Sequence, residues 1–122
     1  MPRKKILAVD DSETTLLVEK TILGPTFDIV TAASGEESIG RARVEAPDLV
    51  LMDFEMPGIS GAEACRRLRA EPRLRATPII LVTSHSEADC LEDAFLSGFT
   101  DFVIKPIDGD ELLVKVRGYL DE

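Results

Sequence analysis

The stretch LVLMDFEMPG, Leu49 to Gly58, sets a single acid, Asp53, directly after four continuously apolar residues. Apolar residues in a short unbroken run, rather than in alternation, mark a strand buried on both faces. A carboxylate at the end of such a strand is costly to place, so the other strand ends decide what it serves.

Three further runs read the same way: ILAV (Ile6 to Val9), IILV (Ile79 to Val82) and FVI (Phe102 to Ile104). A fifth, around FDIVTAA from Phe27, is interrupted by Asp28 and Thr31, which suits a partly exposed edge. Helical patterns lie between them. Ser34 with Glu37 and Asp108 with Glu111 have capping-box spacing, and Ser86 with Asp89 is a weaker start of the same kind. The helix after Asp11 is expected to gather Leu16, Leu17, Thr21 and Ile22 on one side, with one of the two preceding acids as its cap. Leu112, Leu113, Val116 and Leu120 form the core stripe of the last helix and leave Val114 and Tyr119 outward. Gly24-Pro25, Pro47, Pro72 and Gly98 stand where helices should stop.

Five strands alternating with five helices predict a doubly wound α/β domain over residues 1–122, with no output domain in this chain. At 122 residues it can bury a core unaided. The composition, 44% hydrophobic and 30% charged, is that of a globular chain. A net charge of −9, from 23 acids against 14 bases, argues against a nucleic-acid surface. No apolar run approaches the roughly 20 residues that cross a bilayer, and no signal-peptide core follows the basic start. A cytoplasmic chain is expected. Cys65 and Cys90 fall in separate helical patterns, without ligand spacing, and read as free thiols.

In doubly wound sheets ligands bind outside the carboxyl ends of the strands. Asp10 and Asp11 follow the first strand, Asp53 the third, Thr83 and Ser84 the fourth, and Lys105-Pro106 the fifth, whereas the edge strand ends in two alanines. Three neighbouring carboxylates raise one another's pKa unless a cation compensates them. Mg²⁺, which takes oxygen ligands and keeps several waters, suits such a cluster. A metal, a lysine and a hydroxyl around a carboxylate form a site for a phosphoryl group, with Asp53 as the acceptor.

In this order, AVDDS, LVLMDFEMPGISG, ILVTS and DFVIKP resemble the receiver domains of bacterial two-component response regulators, over essentially the full chain. The resemblance implies a flavodoxin-like (CheY-like) sheet of order 2-1-3-4-5, and Asp53 phosphorylated by a histidine kinase or histidine phosphotransfer protein. It implies a Mg²⁺ site in which Asp11 ligates directly, Asp10 acts through water, and Asp53 and the backbone carbonyl of Glu55 complete the shell. Thr83, Ser84 and Lys105 would bind the phosphoryl group, Thr83 and Phe102 would act as switch residues, and the bond before Pro106 would be cis. Similar receivers meet the kinase with the first helix and their outputs with the fourth helix, fifth strand and fifth helix. The downstream target would be a protein or a domain removed from this chain, with neither nucleic acid nor membrane contacted directly.

Thr83 and Phe102 also fit plain strand-end and core roles. Phe102 has no hydroxyl, so any switch at this position would rest on packing alone. His85, the sole histidine, reads first as a surface loop residue and second, with Glu55, as a modulator of phosphoryl lifetime. The expected activity is self-catalysed phosphotransfer and slow autodephosphorylation, without enzymatic turnover. Two rival classes stay open: a phosphorylation-independent pseudo-receiver scaffold, and a haloacid-dehalogenase-type phosphohydrolase using Glu55 as its acid/base.

Overall fold

The computed structural model describes residues 3–84 and 95–121. Its elements run β1 (Lys5–Val9), α1 (Glu13–Leu23), β2 (Asp28–Ala32), α2 (Gly35–Glu45), β3 (Leu49–Asp53), α3 (Gly61–Arg69), a 3₁₀ turn (Pro72–Leu74), β4 (Ile79–Thr83), β5 (Asp101–Ile104) and α4 (Gly109–Leu120). The strands form one parallel sheet of order β2-β1-β3-β4-β5. The helix expected after Ser86 lies outside the described residues, as does Cys90.

The continuous apolar runs are explained by two core layers, one on each sheet face. Leu7, Val9, Val50, Met52, Ile79 and Leu81 pack with Ala42, Ala64, Cys65 and Leu68 of α2 and α3. The alternate residues Ile6, Leu49, Leu51, Ile80, Val82 and Val103 pack with Leu23 of α1 and with Leu112, Val116 and Leu120 of α4. Successive side chains of a strand point to opposite faces, so a strand covered on both sides must be apolar throughout. Both central pairings keep the rim level: Val9 pairs with Met52, and Asp53 with Val82.

Side-chain caps fix where the helices begin. Ser34 accepts from the Glu37 N–H at 3.1 Å, Ser60 from Glu63 at 3.1 Å and Asp108 from Glu111 at 3.1 Å. On α1 two expectations are corrected. The cap is Ser12, whose Oγ accepts from the Thr15 N–H at 3.3 Å; Asp10 instead accepts from the Ser12 N–H at 2.9 Å. The inward face of α1 also differs. Leu17 and Thr21 are exposed, Leu16 and Ile22 are half-buried, and the buried residues are Glu19 and Leu23. The helix is rolled so that positions 16, 19 and 23, at i, i+3 and i+7, face the sheet.

Candidate functional site at the carboxyl rim of the sheet

Each site residue is delivered by the end of a strand. β1 hands over to Asp10, which is 1% exposed and whose N–H donates to the Ala32 carbonyl of β2 at 3.1 Å. Asp11 follows and is exposed. β3 ends in Asp53, 4% exposed. β4 ends in Thr83, fully buried, whose carbonyl accepts from the Lys105 N–H at 2.7 Å. That backbone bond ties the lysine to the rim just beyond β5. The Lys105–Pro106 peptide is cis.

The side chains converge. The Lys105 Nζ donates to Asp53 Oδ1 at 3.1 Å and pairs with Asp10 Oδ2 at 3.4 Å. Asp10, Asp11 and Asp53 each offer a carboxylate oxygen, and these lie within 4.8 Å of one another. One ammonium does not neutralise three carboxylates at such spacing, and a hard divalent ion with oxygen ligands fits the donor set.

The electrostatics report the imbalance. Burial pushes the Asp53 carboxyl up to about 6, and the charge of Asp10 adds to this against the pull of Lys105. Asp10 is raised as well, chiefly by burial, with the Ser12 N–H and Lys105 opposing. For Lys105, burial acts downward but is outweighed by the hydrogen bond and charge of Asp53 and the charge of Asp10, so its ammonium is held. Both partners of the Lys105–Asp53 pair thus bind protons more tightly than usual. The amine feels two acids, whereas Asp53 is half of a like-charged pair in a dry setting.

Thr83 and Ser84 occupy the same rim, and the Thr83 hydroxyl donates to the Ser84 carbonyl at 3.4 Å. Glu55 is exposed and, with Met56, Pro57 and Ser60, borders a shallow cleft in the loop between β3 and α3. His85 lies outside the described residues. Phe102 sits half-buried on β5. The Phe95 ring meets it edge-on at 6.2 Å, and the Lys115 ammonium stands 5.2 Å above it while donating to its carbonyl at 2.6 Å. Packing is therefore joined by a cation over the ring. Asp101 beside it accepts from the Tyr119 hydroxyl at 2.9 Å; burial would raise its carboxyl, but the Phe102 N–H, Tyr119 and Lys115 together bring it below the usual range.

One residue near the site escaped the sequence reading. Glu19 of α1 is 1% exposed, and Asp10, Lys105 and Asp53 all act on its charge. In VEKT it passes for an ordinary surface acid; the signal was its place between Leu16 and Leu23 at helical spacing.

Comparison with known proteins converges on one family. The model of the response regulator receiver domain matches residues 6–117. The phosphate regulon transcriptional regulatory protein PhoB of Rhizobium meliloti (strain 1021) is 34% identical over 117 residues, which is 95% of this chain and 52% of PhoB. The present chain thus spans about half the length of that relative. The chemotaxis protein CheY4 of Vibrio cholerae superposes with a TM-score of 0.90 at 26% identity, covering 96% of this chain and 98% of that one. The receiver domain of the sensor histidine kinase PA1611 from Pseudomonas aeruginosa PAO1 also gives 0.90 at 26% identity, covering 98% and 99%, and coordinates a magnesium ion in its active-site cleft. No helix among the described residues is long and apolar enough to cross a membrane. The matched stretch runs from the first strand into the last helix and so includes every rim residue named above: the chain belongs to the response regulator receiver domains of two-component systems.

Proposed function

We propose that Asp53 is the phosphoacceptor, that Asp10, Asp11, Asp53 and the Glu55 carbonyl hold Mg²⁺, and that the donor is a phosphohistidine of a kinase or phosphotransfer protein. The observation that carries this reading is the placement of the Lys105 ammonium 3.1 Å from Asp53 and 3.4 Å from Asp10, beside three acids within 4.8 Å of one another. In the transfer an Asp53 oxygen forms its bond to phosphorus as the P–N bond to the donor histidine breaks and the imidazole leaves with the electron pair. Bound Mg²⁺ would supply charge neutralisation for the phosphoryl oxygens. Lys105 is already at the acceptor and offers a fixed cation to the same oxygens, so little reorganisation is needed as charge develops. Desolvation leaves Asp53 a more basic oxygen than a surface carboxylate.

Thr83 and Ser84 donate hydroxyls to the phosphoryl group once it is present. A contact made only in that state favours one conformation over the other, which is how a local charge becomes a signal. Phe102, one strand away, is the residue through which the change reaches the face formed by β5 and α4. Hydrolysis by water returns Asp53 to its free form, and the output is a protein partner or a domain outside this chain.

The test is incubation with a small-molecule phosphodonor, with and without Mg²⁺, comparing the parent with Asp53→Asn by intact mass. One metal-dependent phosphoryl adduct on the parent and none on the variant is the expected result. An adduct on Asp53→Asn, or none on the parent, would sink the assignment.

A further inference from the structure

Glu19 occupies a position built for an apolar side chain. It shares its helix face with Leu23, which is completely buried in the layer of Ile6, Leu51, Val82 and Val103. Both Glu19 carboxyl oxygens are buried, and among the described residues neither has a hydrogen-bond partner. An ionised carboxylate without partner or water is among the most costly groups to bury, and protonation removes most of that cost.

The charged groups around Glu19 are those of the rim. Asp10 at the end of β1 and Asp53 at the end of β3 disfavour its anion, and Lys105 after β5 favours it. On the elements packed against α1, Lys115 of α4 pairs with Glu111 and Asp101, Lys5 of β1 with Glu45, and Asp28 of β2 with Arg3. With burial as the leading cause, Glu19 is pushed up to about 8. At neutral pH it therefore carries its proton.

We propose that Glu19 is a proton site linked to the cation site: it holds its proton while Asp10, Asp11 and Asp53 are free of metal, and gives it up in part to solvent when a divalent ion binds among them. The inference rests on reading that cluster as the Mg²⁺ site. Two carboxylates, Asp10 and Asp53, against one ammonium leave a net negative field at Glu19. A divalent cation cancels that field, and only the burial cost then opposes ionisation. Linkage is reciprocal: if the metal weakens proton binding, loss of the proton strengthens metal binding. Asp53, at about 6, is largely ionised above pH 7, and between pH 7 and 9 the difference between parent and Glu19→Gln isolates Glu19. One linked proton changes affinity by at most about tenfold per pH unit.

The experiment is calorimetric titration of MgCl₂ into the full chain at pH 7.5, in two buffers of different ionisation enthalpy. The parent is expected to release a substantial fraction of a proton per Mg²⁺, and Glu19→Gln none. Between pH 7 and 9 the Mg²⁺ dissociation constant of the parent should fall severalfold while that of Glu19→Gln stays flat. Glu19→Met, similar in volume and apolar, serves the same purpose if the Gln variant does not fold. The carboxyl ¹³C resonance of Glu19 gives a readout on the unmutated protein: its titration midpoint should drop when Mg²⁺ is added. Equal proton release from parent and variants, or an unmoved midpoint, overturns the linkage and leaves the metal site standing. Failure of the parent to bind Mg²⁺ overturns both.

Discussion

The first residue of α3, Gly61, lies directly against the backbone of Asp53: a Cβ added to it would stand 2.2 Å from the Asp53 carbonyl oxygen and 3.0 Å from Phe54 Cα. The Gly61 N–H donates to the Phe54 carbonyl at 2.9 Å and closes the loop between β3 and α3. Both obstructing atoms are backbone, so neither can swing aside. Gly61→Ala is expected to cost roughly 1–3 kcal/mol in urea unfolding. It should also slow phosphorylation, because the strain falls on the acceptor's own peptide. Unfolding and phosphodonor kinetics on the same preparation check both effects.

Replacing Lys105 by Met keeps much of the side-chain volume and removes the charge. The variant should still accept a phosphoryl group at Asp53, but about a hundredfold more slowly, the usual loss for one preorganised electrostatic partner. Its Asp53 carboxyl should titrate above the parent value of about 6, since the Lys105 charge and hydrogen bond that oppose the rise are gone. A time course by intact mass and a ¹³C titration give the two readings.

Asp53 itself costs stability when no metal is present. Its carboxyl is raised from 3.8 to about 6, so the folded chain holds that proton more tightly than the unfolded one. The contribution is fully present below pH 3.8 and is lost as pH climbs to about 6. Asp53→Asn escapes the loss and should be more stable than the parent at pH 7.5, by on the order of 2 kcal/mol after its weaker bond to Lys105 is allowed for. The difference should shrink towards zero below pH 4. Saturating Mg²⁺ should narrow or reverse the order, because the metal binds the folded parent more tightly. Urea melts across pH, with and without metal, test all three statements.

Arg69 ties together the chain before β4 and before β5. Its guanidinium donates to the carbonyls of Leu74 at 2.7 Å, Thr77 at 2.5 Å and Gly98 at 3.0 Å, and to the Thr100 hydroxyl at 3.2 Å. Arg69→Met should destabilise the fold by roughly 2–4 kcal/mol. Arg69→Lys should recover little of that, because an ammonium cannot span the same fork. Denaturant midpoints of the three proteins decide it.

Thr83→Ala should accept a phosphoryl group at near the parental rate but fail to relay it. On phosphorylation the parent is expected to shift the amide resonances of Phe102 and its β5 neighbours. Thr83→Ala should lose those shifts and Thr83→Ser should keep them. Equal shifts in all three would remove Thr83 from the relay.

Much of this architecture was legible in the sequence for one reason. A strand covered on both faces has no polar positions until it leaves the core, so each apolar run pointed to the polar residue ending it, and Asp10, Asp53, Thr83 and Lys105 were read that way. The β2 edge was equally plain from Asp28 and Thr31, whereas the apolar run FVI concealed that β5 is the other edge, where only Val103 is buried. The first helix was not. Its apolar residues are spread around the helix, and Leu17, at 64% exposed, competes with Leu23 for the inward face. Periodicity alone cannot show that a glutamate has taken a core position, because that choice depends on the field of residues distant in sequence. The cap of α1 was missed by a short step: Ser12, with its compact hydroxyl, takes the Thr15 N–H and leaves Asp10 to face the rim.

The order in which the rim residues occur along the chain has a consequence for biosynthesis. A ribosome delivers Asp10 and Asp11 first, Asp53 next and Lys105 last, after all five strand sequences have emerged. Until β5 pairs with β4, the nascent sheet carries its crowded acids without their amine. The Mg²⁺ proposed above for the finished site would then be the counter-charge at hand, suited also to assist the folding of the nascent sheet.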